Sequence, residues 1–136
     1  MKNNKLTIGQ MAKMNHTTIS TLRLYDKLGI LKPIYVNPNS NYRYYDIRQC
    51  ITFRAIQFHK NIGLSLKEVE NISKTDTFSY VEELYYRRLD ELSKQIEALN
   101  AQQRAIIRSL HAIRHIVDLP PVGTTSLTYF DTEYAY

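Results

Sequence analysis

The stretch from residue 77 to 119 constrains the fold more than any other, because it contains neither Gly nor Pro and its apolar residues alternate in steps of three and four. Such spacing is typical of a coiled-coil seam. The seam positions are Tyr85, Leu89, Leu92, Ile96, Leu99, Gln103, Ile106, Leu110, Ile113 and Val117. A helix of roughly 40 residues is ~60 Å long at ~1.5 Å per residue, so the remaining residues cannot cover it.

The uncovered seam predicts a partner helix, and a second copy of the same chain supplies one in a two-fold symmetric dimer. We predict that dimerisation depends on the aliphatic seam residues Leu89, Leu92, Ile96, Leu99, Ile106, Leu110 and Ile113. The spacing leaves open whether the two helices run parallel or antiparallel.

The positive charge of the chain is confined to its first part. Residues 1–76 carry twelve Lys or Arg against five Asp or Glu, a net +7, whereas residues 77–119 carry six of each and residues 120–136 carry a net −2. A basic block beside a neutral one indicates that the first part meets a polyanion, whereas the second part has another role.

A short helix between Thr18 and Gly29 carries groups that suit DNA. Thr18 can accept hydrogen bonds from the backbone at the helix start, and Gly29 can adopt the left-handed conformation that ends the helix. Ile19 and Leu22 are expected to face inward, which leaves hydroxyls and cations outside for phosphates and base edges. The candidate DNA contacts of this segment are Thr17, Thr18, Ser20, Thr21, Arg23, Tyr25 and Lys27.

A β-hairpin is predicted directly after this helix. The runs 34–36 and 42–44 are rich in β-branched and aromatic residues, and residues 37–41 between them have turn chemistry. A helix followed by such a hairpin is typical of a winged helix-turn-helix, whose candidate wing contacts are Tyr42, Arg43 and Tyr44. The alternative is that these tyrosines are packing groups with solvated hydroxyls.

Three capping-box patterns predict further short helices in the first part of the chain, residues 1–76, which we call the head. The pattern at 7–10 starts a first helix, the pattern at 46–49 a third helix that ends near residue 61, and the pattern at 65–68 a fourth. The third helix is expected to bury Ile47, Cys50, Ile51, Phe53, Ile56 and part of Phe58. The fold class is therefore mainly α, with a winged helix-turn-helix head followed by a long C-terminal dimerisation helix.

The head resembles the mercury-resistance-regulator (MerR) family of transcription factors in two runs, Thr21-Leu22-Arg23-Leu24-Tyr25-Asp26-Lys27 and Tyr42-Arg43-Tyr44-Tyr45. Leu24 departs from the family pattern, which has a phosphate-contacting tyrosine there. The resemblance extends from residue 6 to about 119 and implies that Lys60 lies over a phosphate in a second wing, with an ordinary solvated lysine as the alternative. It also implies that the two dimerisation helices form an antiparallel coiled coil.

The resemblance implies a homodimeric, sequence-specific transcriptional regulator. Such a protein reads an inverted repeat in double-stranded promoter DNA and distorts the spacer, so that it acts on RNA polymerase indirectly through the promoter. Two alternatives belong to other classes: a coiled-coil interaction module with a basic head, and an architectural DNA-bending protein. The concentration of charge in the head disfavours the first, and the long seam disfavours the second.

Enzymatic, metal-binding and membrane classes are disfavoured by the side chains available. No catalytic constellation or glycine-rich phosphate loop is found, so we expect neither an enzyme nor a cofactor. Cys50 is the only cysteine, and His111 with His115 has no placed third ligand except Asp118, so no metal site is expected. No run approaches a membrane span and the N-terminus lacks the apolar core of a signal peptide, so a cytoplasmic location is expected.

Three segments are predicted: a DNA-binding domain at 1–76, the coiled-coil helix at 77–119, and a linker with the start of an effector domain at 120–136. The linker begins with a Pro-Pro helix stop, and residues 126–130 have the composition of a β-strand. In multidrug-sensing members of the MerR family, an effector-binding domain begins at this place. The resemblance therefore implies that most of that domain is missing from this sequence.

Overall fold

Five helices and three short strands make up residues 4–123, the part of the chain that this computed structural model describes. In chain order the elements are β1 (Lys5–Thr7), α1 (Ile8–Met14), α2 (Ile19–Leu28), β2 (Tyr35–Val36), β3 (Arg43–Asp46), α3 (Gln49–Asn61), α4 (Leu66–Lys74) and α5 (Phe78–Val117). The fold is mainly α with a small antiparallel sheet, as predicted. The chain forms two compact units, of which the first ends at Leu92 and the second begins at Ser93.

The sheet has the strand order β1-β3-β2, and both neighbours of β3 run antiparallel to it. The predicted hairpin of β2 and β3 forms, and the side-chain oxygen of Asn37 in its turn accepts from the backbone N–H groups of Asn39 and Ser40 at 2.9 and 3.2 Å. Strand β1, which pairs Leu6 with Tyr45, is not predictable from the sequence. Three residues are too few to show the alternation that identifies a strand.

The residues that begin and end most helices of the head act as the sequence predicts. The hydroxyl of Thr18 accepts from the backbone N–H of Thr21 at 3.1 Å, and Gly29 ends α2 with a φ of +73°. Reciprocal capping boxes start α1 at Thr7 and α4 at Ser65. Local hydrogen bonding therefore determines where these helices start.

Helix α3 begins at Gln49 and not directly after Asp46 as predicted. The side chain of Gln49 accepts from the backbone N–H of Asp46 at 2.9 Å, which is half of a capping box. The carboxylate of Asp46, however, accepts from the backbone N–H of Arg48 at 2.8 Å. It therefore stabilises a turn before the helix, and Ile47 lies in that turn.

The core of the head is formed by side chains from the helices and from the inner face of the sheet. Its largest fully buried members are Tyr25, Tyr45, Phe53, Met11, Leu22 and Val69. Three residues that were predicted to be buried are exposed: Ile19 by 40%, Ile47 by 41% and Ile51 by 72%. Ile19 and Ile47 stand at or before a helix start, and Ile51 lies roughly 200° and 140° around α3 from Phe53 and Ile56.

Charged side chains join the first turns of α5 to the rest of the head. The Nε–H of Arg88 donates to the carbonyl oxygen of Ile62 at the end of α3, and Arg87 pairs with Glu68 at the start of α4. Gly63 makes room for this contact, because an added Cβ would lie 2.6 Å from a guanidinium nitrogen of Arg88. Its φ of +94° is also a backbone conformation that favours glycine. The end of α3 and the start of α5 are thus held together by polar contacts.

Helix α5 is continuous over 40 residues, in agreement with the helix predicted at 77–119. The strand predicted at 126–130 lies outside the described residues. None of the helices within residues 4–123 combines the length and the apolar character needed to cross a membrane.

The side chains of His59 and Tyr85 join α3 to α5, with 2.9 Å between Nε2 and the phenolic oxygen. Burial lowers the pKa of His59 below its ordinary value of 6.5. The unfolded chain therefore binds more protons than the folded one once the pH falls below 6.5, so stability is highest above 6.5 and decreases as the pH falls through the lowered pKa of His59. We expect the urea midpoint of the wild type to fall over that range.

The change His59→Gln should flatten this pH dependence, because the titrating group is gone while a hydrogen-bonding side chain remains. The change His16→Asn at an exposed turn position should leave the wild-type dependence in place. Equal pH profiles for wild type and His59→Gln would contradict the assignment.

Candidate nucleic-acid interface

The exposed side of α2 carries the hydroxyl and cationic side chains that were predicted to face DNA. Ser20, Arg23 and Lys27 are exposed, and their spacing of three and four residues brings them to one face of the helix. Leu24 is 42% exposed, so a larger side chain at this position would meet solvent and not the core. Thr17 is half-buried in the turn before the helix.

The hydroxyls of Thr18 and Thr21 are engaged at the start of α2. The Thr18 oxygen accepts from the backbone N–H of Thr21, and the two hydroxyl oxygens are 2.9 Å apart. One hydroxyl proton is used between them, which leaves the other to donate elsewhere. The pair therefore stabilises the helix start and keeps one donor at the N-terminal end of α2, where anions are favoured.

Tyr25 was predicted to contact DNA, but its ring lies in the core of the head. The residue is 1% exposed, and its ring lies 6.0 Å from that of Phe53 between centroids. The ammonium of Lys60, whose side chain is exposed, lies 3.5 Å from the Tyr25 hydroxyl oxygen. An effect of Tyr25 on DNA contact would therefore act through the orientation of Lys60.

An ion pair joins the wing, formed by β2, β3 and their turn, to helix α2. The Nε–H of Arg43 donates to a carboxylate oxygen of Asp26 at 2.7 Å, and the two side chains are 30% and 20% exposed. The nearby pair of Arg48 and Asp46 has its arginine 81% exposed and is screened more strongly by water. Because Nε makes the bond, the four N–H groups on the two terminal nitrogens of Arg43 remain to donate elsewhere.

Tyr45 is buried beside this ion pair. Its exposure is 0%, and within residues 4–123 its hydroxyl has no hydrogen-bond partner. Burial raises the pKa of Tyr45 to about 12, the carboxylate of Asp26 adds to the rise, and the guanidinium of Arg43 opposes it. Tyr45 therefore stays neutral and adds no charge to the interface.

The outer face of the wing carries a row of tyrosines. The rings of Tyr35 and Tyr42 lie 5.9 and 5.5 Å from the ring of Tyr44 between centroids. The ammonium of Lys5 lies 4.3 Å from the Tyr35 ring centroid and 4.5 Å from that of Tyr44. The tyrosines pack against one another as the alternative interpretation expected, yet Tyr42 is also 44% exposed.

Sequence reasoning missed two residues at this interface. Lys5 left no signal, because the strand that carries it was not foreseen. Asp26 did leave a signal, since it is an acidic residue on helix α2, whose other charged residues are basic, but its partner lies 17 residues away. Only the folded chain brings the two together.

The arrangement suits phosphate and base edges and offers little to a metal ion. Within the described part of the chain, no three His, Cys, Asp or Glu side chains are grouped so that they could hold a metal. Cys50 packs in a half-buried position, with Asn15 donating to its sulfur at 3.3 Å and Met11 sulfur 3.7 Å away. Exposed cations and hydroxyls of this kind are the groups by which proteins bind the DNA backbone.

Residues 6–75 match the family described as MerR HTH family regulatory protein, and this match covers more than half of the chain. The multidrug-efflux transporter 1 regulator of Bacillus subtilis (strain 168) is 29% identical over 126 residues, which are 90% of this chain and 44% of that protein. The chain thus spans less than half the length of this relative.

The solved structures that are similar to this chain include a DNA complex and the N-terminal part of a transporter activator. The EcmrR-DNA complex in EcmrR-RPo superposes with a TM-score of 0.64 at 29% identity, over 81% of this chain and 40% of that one. The N-terminus of MtaN, the Bacillus subtilis multidrug transporter activator, superposes with a TM-score of 0.63 at 25% identity, over 77% of this chain and 97% of that one. The Bacillus subtilis relative is named a regulator and MtaN an activator, and the family match over residues 6–75 shows that the chain belongs to the MerR HTH family of regulatory proteins.

Proposed function

We propose that the protein acts as a homodimer that binds an inverted repeat in promoter DNA through its two heads and distorts the DNA between them. The observation that carries this proposal is the 2.7 Å ion pair of Asp26 and Arg43, which holds a wing cation against α2, the proposed recognition helix. Helix and wing can then meet the base edges and the backbone of one half-site together.

The proposed contacts come from three parts of the head. Those from α2 and the turn before it are Thr17, Thr18, Ser20, Thr21, Arg23 and Lys27, those from the wing are Tyr42, Arg43 and Tyr44, and Lys60 comes from the end of α3, oriented by Tyr25. Since the net charge of residues 1–76 is +7, a polyanion is the partner that this surface attracts most strongly.

The exposed seam of α5 supports the homodimer. Within a single chain the exposed fractions are Leu89 58%, Ile96 58%, Leu99 62%, Ile106 62%, Leu110 54% and Ile113 56%. A soluble helix does not leave such a stripe in water without cost, because each large aliphatic side chain gains roughly 1.5–3 kcal/mol when fully buried. The second copy of α5 is the proposed cover, and the family resemblance favours the antiparallel arrangement.

An apolar groove in the first unit supports the same interface. It has a volume of about 220 Å³ and continues the seam from Leu89 and Leu92 onto Phe58 and Ile62. A partner surface that reaches beyond α5 would bury these side chains as well.

DNA distortion by the two heads is energetically reasonable. Smooth bending of a 20–30 bp site costs about 1–6 kcal/mol. Each charge-assisted hydrogen bond contributes roughly 1.5–3 kcal/mol, so a few from each head offset that cost. The deformation would change the promoter that RNA polymerase meets, so the effect on polymerase is indirect and the protein works in the cytoplasm beside its DNA.

In this proposal the segments have separate roles. Residues 1–76 bind DNA, residues 77–119 dimerise, and residues 120–136 form a linker with the start of an effector domain. The position of the ion pair and the capped helices in the first segment supports the first assignment, and the exposed seam supports the second.

The change Leu99→Asp should convert the dimer to a monomer, because it introduces a charge into the apolar seam. Sedimentation equilibrium at micromolar concentration should give a mass near 16.0 kDa for the variant and about twice that for the wild type. Operator binding should fall with it, since one head has only one half-site. Asn100→Asp, an exposed neighbour with the same charge change, is the control and should stay dimeric. A wild type that sediments as a monomer would contradict the proposal.

The changes Arg23→Ala and Arg43→Ala should each weaken operator binding by about 10–100-fold, through loss of a charge-assisted contact. If each arginine meets a phosphate, the slope of log affinity against log salt should become shallower by about one unit. Arg54→Ala removes an exposed cation of α3 outside the proposed contacts and should leave this slope near the wild-type value. Unchanged slopes in both interface variants would rule out the phosphate contacts.

The change Leu24→Tyr should tighten DNA binding by about 2–10-fold, because it restores a hydroxyl at an exposed position beside the α2 cations. Thermal stability should stay the same, since the side chain is 42% exposed and no core contact is lost. Leu24→Phe supplies the ring without the hydroxyl and should leave the affinity unchanged. Tightening by Phe as much as by Tyr would show that the ring and not the hydroxyl makes the contact.

A further inference from the structure

We propose that Asp26 is a positioning residue for DNA binding, whose carboxylate holds the Arg43 guanidinium, and with it the wing, in the orientation that meets the DNA. This inference rests on the DNA-binding function proposed above. It assigns a role to an acidic side chain on a surface whose other charged members are cations.

The sign of the Asp26 charge is what requires an explanation. The residue lies on α2 between Arg23 and Lys27, within a head of net charge +7. A carboxylate within about one Debye length, ~8–10 Å, of a phosphate backbone repels it. By charge alone, therefore, the carboxylate of Asp26 weakens DNA binding, and a compensating role must come from what it touches.

The contact of Asp26 is suited to orienting an arginine. Its carboxylate oxygen accepts from Arg43 Nε at 2.7 Å, and both side chains are largely shielded from solvent. The guanidinium is planar, so a bond at Nε together with the side-chain stem defines the direction in which the terminal nitrogens point. Those nitrogens carry the donors that can make a two-pronged contact with phosphate.

The wing needs such a link because its own strands are short. Strand β2 has two residues and β3 has four, and a hairpin of this size has little stability of its own. Tyr45 secures β3 in the core, but the next inward-facing position along the strand is Arg43. The ion pair therefore ties the part of β3 nearest the turn to the recognition helix.

The decisive test is the change Asp26→Asn, because a purely electrostatic role and a positioning role of Asp26 predict opposite changes in DNA affinity. If the carboxylate only contributes charge, its removal should tighten DNA binding. If it positions Arg43, its removal should weaken binding to a duplex selected by the protein from a random library by about tenfold at fixed salt. Asp46→Asn makes the same charge change on β3, the strand that carries Arg43, at a carboxylate paired with the exposed Arg48, and should not weaken binding.

A double-mutant cycle separates positioning from a general effect on the fold. In an Arg43→Ala background, Asp26→Asn should leave affinity unchanged or tighten it, since only the repulsive charge remains to be removed. Asp26→Glu keeps the charge and should recover part of the affinity lost in Asp26→Asn. Thermal melting and sedimentation of each variant establish that it is folded and dimeric at the assay temperature.

A second variant keeps the inference testable if Asp26→Asn does not fold. Arg43→Lys retains the positive charge but has no Nε–H to be held, so it should bind more weakly with a salt slope close to that of the wild type. An Arg43→Lys variant with wild-type affinity would overturn the inference.

The outcomes for the two proposals are distinguishable. A wild type that shows no preference for any duplex over random DNA would overturn the proposed function. A wild type that binds, an Arg43→Ala variant that binds more weakly, and an Asp26→Asn variant that binds as tightly as the wild type or more tightly would overturn only the role of Asp26.

Discussion

The burial of Tyr45 in the middle strand of the sheet is the constraint on which the rest of the head depends. Strand β3 pairs with β1 on one side and β2 on the other, and Tyr45 on its inner face has an exposure of 0%. Side chains alternate between the two faces of a strand, so the inward direction of Tyr45 also determines its neighbours. Arg43 is directed towards α2, whereas Tyr42 and Tyr44 stand on the outer face.

This alternation gives the two faces of the wing different chemistry. The inner face links the wing to helix α2 through Arg43 and Asp26, at 2.7 Å. On the outer face the rings of Tyr35, Tyr42 and Tyr44 pack together, and the ammonium of Lys5 lies over two of them. A shift of register by one residue would exchange these faces and would bring Arg43 to the outside. The core packing of one tyrosine thus controls where the cationic group of the wing points.

The long helix α5 depends on a different balance. Its first turns are held to the head by the contacts of Arg87 and Arg88 and by the packing of Leu84, which is 7% exposed. From Ile96 onward the seam residues are exposed in the single chain, so in the proposed dimer this part of α5 gains its hydrophobic stabilisation from the partner. The same interface would therefore stabilise the helix and set the distance between the two heads.

The sequence by itself determined the features that depend on residues close together in the chain. The caps at Thr7, Thr18 and Ser65, the left-handed Gly29 and the periodicity of α5 each involve partners a few residues apart, so they are visible as spacing. Only the tertiary structure decided the pairing of β1 with β3, the burial of Tyr25, the exposure of Ile51 and the bond between Asp26 and Arg43. These depend on which surfaces meet across distant parts of the chain, and the energy of such contacts is set by shape and desolvation, which local spacing does not encode.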